Sequence, residues 1–170
     1  MVKKGGKILG AGGYTAVEMM LTVAITGILA GLGGSLILQT ARFYLQGQAR
    51  DALQKEARAL MYVMTRELRQ AQSASIVVSS YSSAQPYYSM ITFTKEQGTT
   101  MSFFQYGNLL EQRWGSHVQI LSRDLRYLGF TFPRSDDMTI LSVSMTLQQA
   151  TYQGQSQVLH MASEKVQVMN

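Results

Sequence analysis

Several residue types are scarce in this sequence, and each scarcity narrows the functions open to it. The chain of 170 residues contains no cysteine, which excludes disulfides and thiolate metal sites. It has two histidines, His117 and His160, which lie far apart in the sequence. No motif of a serine hydrolase, a zinc protease, a phosphate-binding loop or a dinucleotide-binding fold is present. We therefore predict that the protein is not an enzyme and that it binds no cofactor.

Proline is absent from residues 14–72, and charge is scarce in residues 14–38. The two prolines are Pro86 and Pro133, so none interrupts residues 14–72. Residues 14–38 are almost all apolar, and a helix of that length spans roughly 37 Å, enough to cross a bilayer core of about 30 Å. One charged side chain, Glu18, lies inside this run. A charged carboxylate costs about 2.5–3.5 kcal/mol at the centre of a membrane helix and less near its edge, so its presence requires an explanation.

The residues before the apolar run supply that explanation. Lys3, Lys4 and Lys7 precede it without any acidic residue, which predicts a cytoplasmic N-terminus and an exported C-terminal part. The small residues end at Gly13, before the apolar run, whereas a secretory signal peptide is cut after its apolar segment. Cleavage after Gly13 would leave the apolar segment on the mature chain, with Glu18 as its fifth residue.

This arrangement resembles the class III leader of type IV prepilins and pseudopilins. In that family a prepilin peptidase cuts after a glycine and methylates the new N-terminal amine, and the fifth mature residue is a glutamate. The resemblance implies that residues 1–13 are a leader, that the cut falls between Gly13 and Tyr14, and that Tyr14 is methylated. It also implies that Glu18 acts in subunit assembly, by neutralising the N-terminal amine of a neighbouring subunit.

The apolar pattern changes beyond residue 38, and we predict that the helix continues through residues 39–72 as an amphipathic segment. Apolar side chains recur there at spacings of three and four, which mark one helical face. These residues are Leu53, Ala57, Leu60, Met64, Leu68 and Ala71. The first half of the predicted helix would lie in the membrane, and its second half would cover a soluble domain.

Four glycines in the membrane half of this helix each cost about 1 kcal/mol of helix propensity relative to alanine. Gly27 and Gly31 have the spacing at which small residues let two membrane helices pack closely. Gly33 and Gly34 are adjacent, and would instead form a weak point where the helix unwinds as a subunit leaves the bilayer for a filament. The sequence favours these two hypotheses equally.

The remainder of the chain, residues 73–170, is rich in Ser, Thr, Tyr and Val, which predicts an exported β-rich domain. Residues 141–148 alternate between apolar and polar side chains, the period of a half-buried strand. The predicted strands are 76–79, 89–94, 100–106, 109–114, 124–132, 141–148 and 157–161, with a turn or short helix at 116–121 and turns at 95–98 and 152–155. The predicted fold class is α+β, with an N-terminal helical spine and an antiparallel sheet packed on its C-terminal half, as in the pilin family.

Residues 99–132 are similar to the J-type minor pseudopilins of type II secretion and to PilW-like minor pilins. Leu110 and Arg113 match a Leu-x-x-Arg strand of those proteins, and Leu128–Phe130 match a later Leu-x-Phe strand. The final residues, VQVMN, resemble their usual ending, with Met169 where arginine is common. The resemblance implies a minor subunit.

The function implied by these resemblances is structural. The chain would be a subunit of a type IV pilus-like or type II secretion pseudopilus filament, held in the bacterial inner membrane by its helix and surrounded by lipid before assembly. Its expected partners are other pilin or pseudopilin subunits, the prepilin peptidase and the inner-membrane assembly platform. Two alternatives remain open: a major pilin that polymerises by itself, or a signal-anchored exported binding or sensor domain in which Gly13 stays uncut.

Two further features have a ligand-binding interpretation and a simpler one. Asp136 and Asp137 offer oxygen ligands to calcium, but two acids are too few for a shell of about six to eight oxygens, which favours a polar turn. Tyr87, Tyr88 and Trp114 have the chemistry to stack on nucleic acid, but no dense basic patch surrounds them in sequence, which favours packing in the core or an interface. We therefore predict no metal site and no nucleic-acid partner.

Overall fold

The computed structural model describes residues 13–134, 136–151 and 156–168. The predicted leader before Gly13, the predicted turn at 152–155 and Met169 lie outside the described residues. The described chain forms one long helix, α1 (Ala16–Arg69), a short 3-10 helix (Ser73–Ser75) and eight strands. The strands are β1 (Val77–Ser79), β2 (Met90–Thr94), β3 (Thr100–Tyr106), β4 (Leu109–Trp114), β5 (His117–Ser122), β6 (Leu125–Thr131), β7 (Ile140–Thr151) and β8 (Ser156–Gln167).

Helix α1 confirms the prediction of one long N-terminal helix, although it is slightly shorter than expected at both ends. It begins at Ala16 because the preceding residue, Thr15, caps it. It ends at Arg69 because the residues that follow join the end of β2 instead of continuing the helix. The N–H of Gln72 donates to the carbonyl of Thr94 at 2.9 Å.

The chain divides into two compact units, Met1–Phe43 and Tyr44–Asn170. No described residue of the first unit is buried. In the second unit, one face of α1 is buried in a hydrophobic core, as its amphipathic pattern predicts. The buried apolar residues on this face are Leu53, Ala57, Leu60, Met61, Met64 and Leu68.

Strands β1–β5 form a five-stranded antiparallel sheet whose order follows the chain. The prediction of a turn or short helix at 116–121 is wrong, because this segment forms β5 and pairs with β4. A two-residue loop joins these strands, since Trp114 pairs directly with His117. Gly115 in that loop has a φ of 58°, a conformation that glycine adopts without strain and that allows a tight reversal.

Strands β6–β8 form a second, three-stranded antiparallel sheet, so the single sheet expected from the sequence is divided in two. The pairing of β7 with β8 is continuous from Ile140 with Gln167 to Thr151 with Ser156. Along β7, buried apolar residues alternate with half-buried polar ones, which confirms the predicted period-two strand. The buried residues are Leu141, Val143, Met145 and Leu147.

One hydrophobic core joins the second half of α1 to both sheets. The first sheet contributes Phe93 and Phe103, and the second contributes Leu128 and Phe130. Gln105 of β3 links the two sheets, because its side-chain oxygen accepts the N–H of Leu128 in β6 at 3.1 Å. The α+β class and the packing of antiparallel sheets on the helix are therefore confirmed.

Candidate functional site

The residues predicted for processing and assembly lie at the N-terminal end of α1, where two side chains cap the helix. The N–H of Thr15 donates to Oε2 of Glu18 at 2.8 Å, and the Thr15 hydroxyl donates to the same oxygen at 3.1 Å. In return, the N–H of Glu18 donates to the Thr15 hydroxyl at 3.3 Å. These reciprocal bonds form a capping box, which satisfies N–H groups that lack partners within the helix.

Thr15 belongs to this site as well, although the sequence analysis assigns it no role. Its capping role can nevertheless be recognised in the sequence. The spacing Thr-x-x-Glu before an apolar run is the signature of a capping box. Glu18 therefore has a role within its own chain. It also places a negative charge in the first turn, where the helix dipole stabilises an anion.

The bond between Gly13 and Tyr14 lies just outside the helix and next to the cap. Both residues are exposed, and Tyr14 is 79% accessible. The capping bonds use only atoms of Thr15 and Glu18, so cleavage after Gly13 would leave them intact. The predicted cleavage, methylation and assembly positions are thus adjacent at one accessible helix end.

Beyond the cap, α1 carries no charged side chain until Arg42. By length and composition, α1 is a helix that could cross a membrane. Three hydroxyl groups in this part are bonded to the helix backbone: Thr22, Ser35 and Thr40 donate to carbonyls three or four residues earlier, at 2.8–2.9 Å. These donors need no water, which suits a helix surrounded by hydrocarbon.

The two acids considered for calcium are both engaged within their own loop. Arg134 donates to Asp136 through Nε at 3.2 Å and through a terminal nitrogen at 3.0 Å. The hydroxyl and N–H of Thr139 donate to Asp137, and these bonds hold the pKa of its carboxyl below the ordinary value. Within residues 13–134, 136–151 and 156–168, no group of three His, Cys, Asp or Glu side chains is placed to hold a metal ion.

Two of the three aromatic residues considered for nucleic acid are used in packing within the chain. Trp114 is partly buried against the core, and its ring centroid lies 6.0 Å from that of His117. The ring of Tyr88 lies 5.9 Å from that of Tyr127, measured between centroids. Tyr87 is exposed.

The residues that carry the similarity to minor subunits also have structural positions. Leu110, Leu128 and Phe130 are buried in the core. Arg113 of β4 places its guanidinium carbon 4.9 Å from the ring centroid of Phe104 and 5.7 Å from that of Tyr81. This cation–π stack covers the side of the first sheet on which Phe104 is buried.

A groove of about 740 Å³ lies between the second half of α1 and β8. One side is a stripe of α1 from Ala57 to Arg69 together with Gln70, which directly follows the helix. The other side consists of five consecutive residues, His160–Glu164. Arg58, Arg66 and Arg69 line it. No sequence pattern predicts this groove, because its two sides are far apart in the chain.

A scan against protein-family models, a search of curated proteins and a search of solved structures each found no match.

Proposed function

We propose that this protein is a structural subunit, of the minor class, in a type IV pilus-like or type II secretion pseudopilus filament. A prepilin peptidase would cut the chain between Gly13 and Tyr14 and methylate the amine of Tyr14. The subunit would then leave the bilayer and pack its apolar helix against those of neighbouring subunits, with its β-rich part facing outward.

The observation that carries this proposal is the start of α1. A capped carboxylate, that of Glu18, comes directly before an uncharged apolar helix, and no described residue from 13 to 43 is buried. This much exposed apolar surface requires a cover of lipid or of other chains. A membrane anchor accounts for the apolar run, whereas a filament subunit also accounts for an acid five residues after Gly13.

The electrostatics of Glu18 support an assembly role. Cleavage after Gly13 would create an amine at Tyr14, and an amine and a carboxylate attract strongly in a low-dielectric filament core, where each alone is costly. Oε2 of Glu18 accepts both capping bonds, while Oε1 has no hydrogen bond within the described residues. Oε1 is therefore the atom that would receive the amine of a neighbouring subunit.

The proposal also assigns a location and partners. Before assembly the protein would be a single-pass protein of the bacterial inner membrane, with Lys3, Lys4 and Lys7 on the cytoplasmic side. Its partners would be lipid, the prepilin peptidase, the inner-membrane assembly platform and the other filament subunits.

The N-terminal mass of the protein recovered from membranes tests the proposal. With an active prepilin peptidase we expect a chain that begins at Tyr14 and carries one additional methyl group. Without the peptidase, the chain should retain the leader residues before Tyr14. Gly13→Val should block cleavage, whereas Gly12→Ala, the matched control at the neighbouring glycine, should be cut normally. An uncut wild-type chain in the presence of active peptidase would refute the proposal and leave a signal-anchored exported domain.

A further inference from the structure

The strand side of the groove between α1 and β8 is an open sheet edge. Five consecutive residues of β8, His160–Glu164, line the groove. Because alternate side chains of a strand point to opposite faces, a groove lined by consecutive residues follows the edge of the strand. β8 is one of the two outer strands in the order β6-β7-β8, so the edge away from β7 has no strand partner within the described chain.

On the helix side, the groove has a floor of buried residues and a rim of basic residues. Ala57, Met61 and Thr65 of the floor are buried. Tyr62 and three arginines form the rim, and Tyr62 is 66% exposed. The rim arginines are Arg58, Arg66 and Arg69.

Arginines outnumber acids along the groove, and in the described chain two of these arginines are free to pair with a bound ligand. Arg66 is bonded to its neighbour Glu67, but Arg58 and Arg69 make no ion pair within the described residues. Glu164 is the one acid among the lining residues, against three arginines. The groove therefore has a net positive charge that a negatively charged occupant would complement.

From this combination we infer that the groove binds an extended acidic segment of a partner polypeptide. The segment adds to β8 as a further strand, and its carboxylates pair with Arg58 and Arg69. Main-chain hydrogen bonds along an open edge supply affinity, while side chains on alternate positions supply specificity. The acidic residues of the segment are an even number of positions apart, because only then do they lie on one face.

A polypeptide fits the groove better than a nucleic acid does. A strand edge presents alternating N–H and C=O groups, which match the main chain of another strand. Single-stranded nucleic acids are held by successive aromatic rings, and the groove lining has one aromatic residue, Tyr62. The inference stands independently of the filament function, because it uses only the second half of α1 and β8.

The test uses the full chain in detergent micelles and a phage-displayed library of random dodecapeptides. We expect selected peptides to be depleted of proline and to carry two acids at even spacing. The most enriched peptide, labelled with fluorescein, should bind at least tenfold more tightly than the same peptide with lysine at its acidic positions. Fluorescence anisotropy gives both dissociation constants.

Four variants locate the binding. Arg58→Glu and Arg69→Glu should each weaken the selected peptide at least tenfold. Glu164→Gln should tighten it, a gain that misfolding cannot produce. Arg126→Glu, which reverses an exposed arginine of β6 outside the groove, is the matched control and should bind normally.

Hydrogen exchange completes the test, because strand addition protects main-chain amides. Bound peptide should slow exchange in segments that contain residues 160–164. The inference would be overturned if the selected peptides were not enriched in acidic residues. It would also be overturned if the peptide bound without slowing amide exchange at residues 160–164. It would equally be overturned if a dodecathymidine oligonucleotide or a second copy of the chain occupied the groove and were released by Arg58→Glu.

Discussion

At the scale of single residues, mutation can separate the capping role of Glu18 from its proposed role in assembly. A capping box needs a side-chain acceptor three residues after the cap, which glutamine also supplies, whereas attraction to an amine needs a charge. We expect Glu18→Gln to insert into the membrane normally but to enter filaments poorly. Thr15→Val should lose about 1 kcal/mol of helix stability yet still enter filaments, because Glu18 keeps its charge. Incorporation is measured by immunoblotting of sheared filaments, and insertion by carbonate extraction.

Further variants at Thr15 and Glu18 serve as controls for the comparison of Glu18→Gln with Thr15→Val. Thr15→Ser keeps the cap and should behave as the wild type. Glu18→Ala and Glu18→Leu keep the bond from the N–H of residue 18 to the Thr15 hydroxyl, but they lose the two bonds to the carboxylate and its charge, and they should fail in assembly. Normal incorporation of Glu18→Gln together with failure of Thr15→Val would assign Glu18 to capping alone.

A second residue-scale feature is the carboxylate of Glu67, which ties the end of α1 to the end of β2. Glu67 is 6% exposed and pairs with Lys95 and Arg66. We expect Glu67→Ala to lower the free energy of unfolding by about 2–3 kcal/mol, because it leaves the mostly buried Lys95 without its partner. Thermal unfolding in detergent, followed by circular dichroism, measures this loss. Glu96→Ala, at an exposed neighbouring acid, should change the same free energy by less than about 0.5 kcal/mol.

The same carboxylate predicts a pH dependence of stability. Burial raises the pKa of Glu67, but hydrogen bonds from Lys95 and Arg66 outweigh burial and hold this pKa below its ordinary value. The contribution of Glu67 is therefore complete above the unfolded pKa of about 4.3 and is lost as the pH falls through the folded pKa. The difference in melting temperature between wild type and Glu67→Gln should shrink between pH 7 and pH 3. A difference independent of pH would exclude an ionised Glu67 as its cause.

What the sequence predicts at this scale depends on how local the signal is. The sequence predicts a site at Gly13 and Glu18 because their spacing is short and the residues after Gly13 are apolar. The cap at Thr15 has an equally local signal. The pairing of Glu67 with Lys95 has none, because the two residues are 28 positions apart and meet only when β2 packs beside the helix.

At the scale of elements, a strong apolar periodicity predicts helices and strands correctly, whereas a weak one does not. The twelve-residue strand β7 and the amphipathic half of α1 each repeat their pattern several times. In β5 the alternation of Val118 and Ile120 with Gln119 is too short to distinguish a strand from the turn or short helix predicted at 116–121. β5 is also an edge strand whose first residues are exposed, so burial imposed little apolar pattern on it.

The glycines of α1 give a prediction at this scale. A Cβ at Gly27, Gly31, Gly33 or Gly34 would meet no atom of the chain within 4 Å, so alanine fits there without strain. Each alanine adds about 1 kcal/mol of helix propensity. If Gly33 and Gly34 form a weak point, Gly33→Ala with Gly34→Ala should insert into membranes normally but enter filaments less efficiently, because alanine stiffens the helix there. The amount in sheared filaments is the readout.

Two control variants distinguish the weak point from close helix packing. Gly27→Ala with Gly31→Ala tests packing, and Gly47→Ala stiffens α1 at an exposed position of the second unit. Impairment of the Gly27 and Gly31 pair alone would favour packing. Normal incorporation of both pairs would exclude a role of these glycines in assembly.

At the scale of the whole molecule, the least predictable features were those that depend on how distant segments meet. The sequence predicts antiparallel strands, but no local signal marks where one sheet ends and another begins. The division falls between β5 and β6, and Gln105 joins the two sheets through a bond to Leu128. The groove between α1 and β8 is of the same kind, since it exists only after the helix and the last strand have packed.

The distribution of burial gives the last prediction, which concerns the independence of the second unit. All residues of the hydrophobic core lie at or beyond Leu53, whereas the exposed apolar run of α1 lies before residue 46. We expect a truncated chain that begins at Tyr44 to be soluble without detergent, monomeric and cooperative in thermal unfolding. Light scattering after size-exclusion chromatography gives its mass, and circular dichroism gives its melting temperature.

A longer truncation is the matched control, because it removes part of the core itself. A chain beginning at residue 58 lacks Leu53 and Ala57, both fully buried. Loss of a buried leucine side chain alone costs about 2–5 kcal/mol, which lowers a melting temperature by about 10 °C or more in a domain of this size. This chain should therefore unfold at much lower temperature or not fold cooperatively. If the chain beginning at Tyr44 also aggregated or failed to unfold cooperatively, the stability of the β-rich part would depend on the first half of α1.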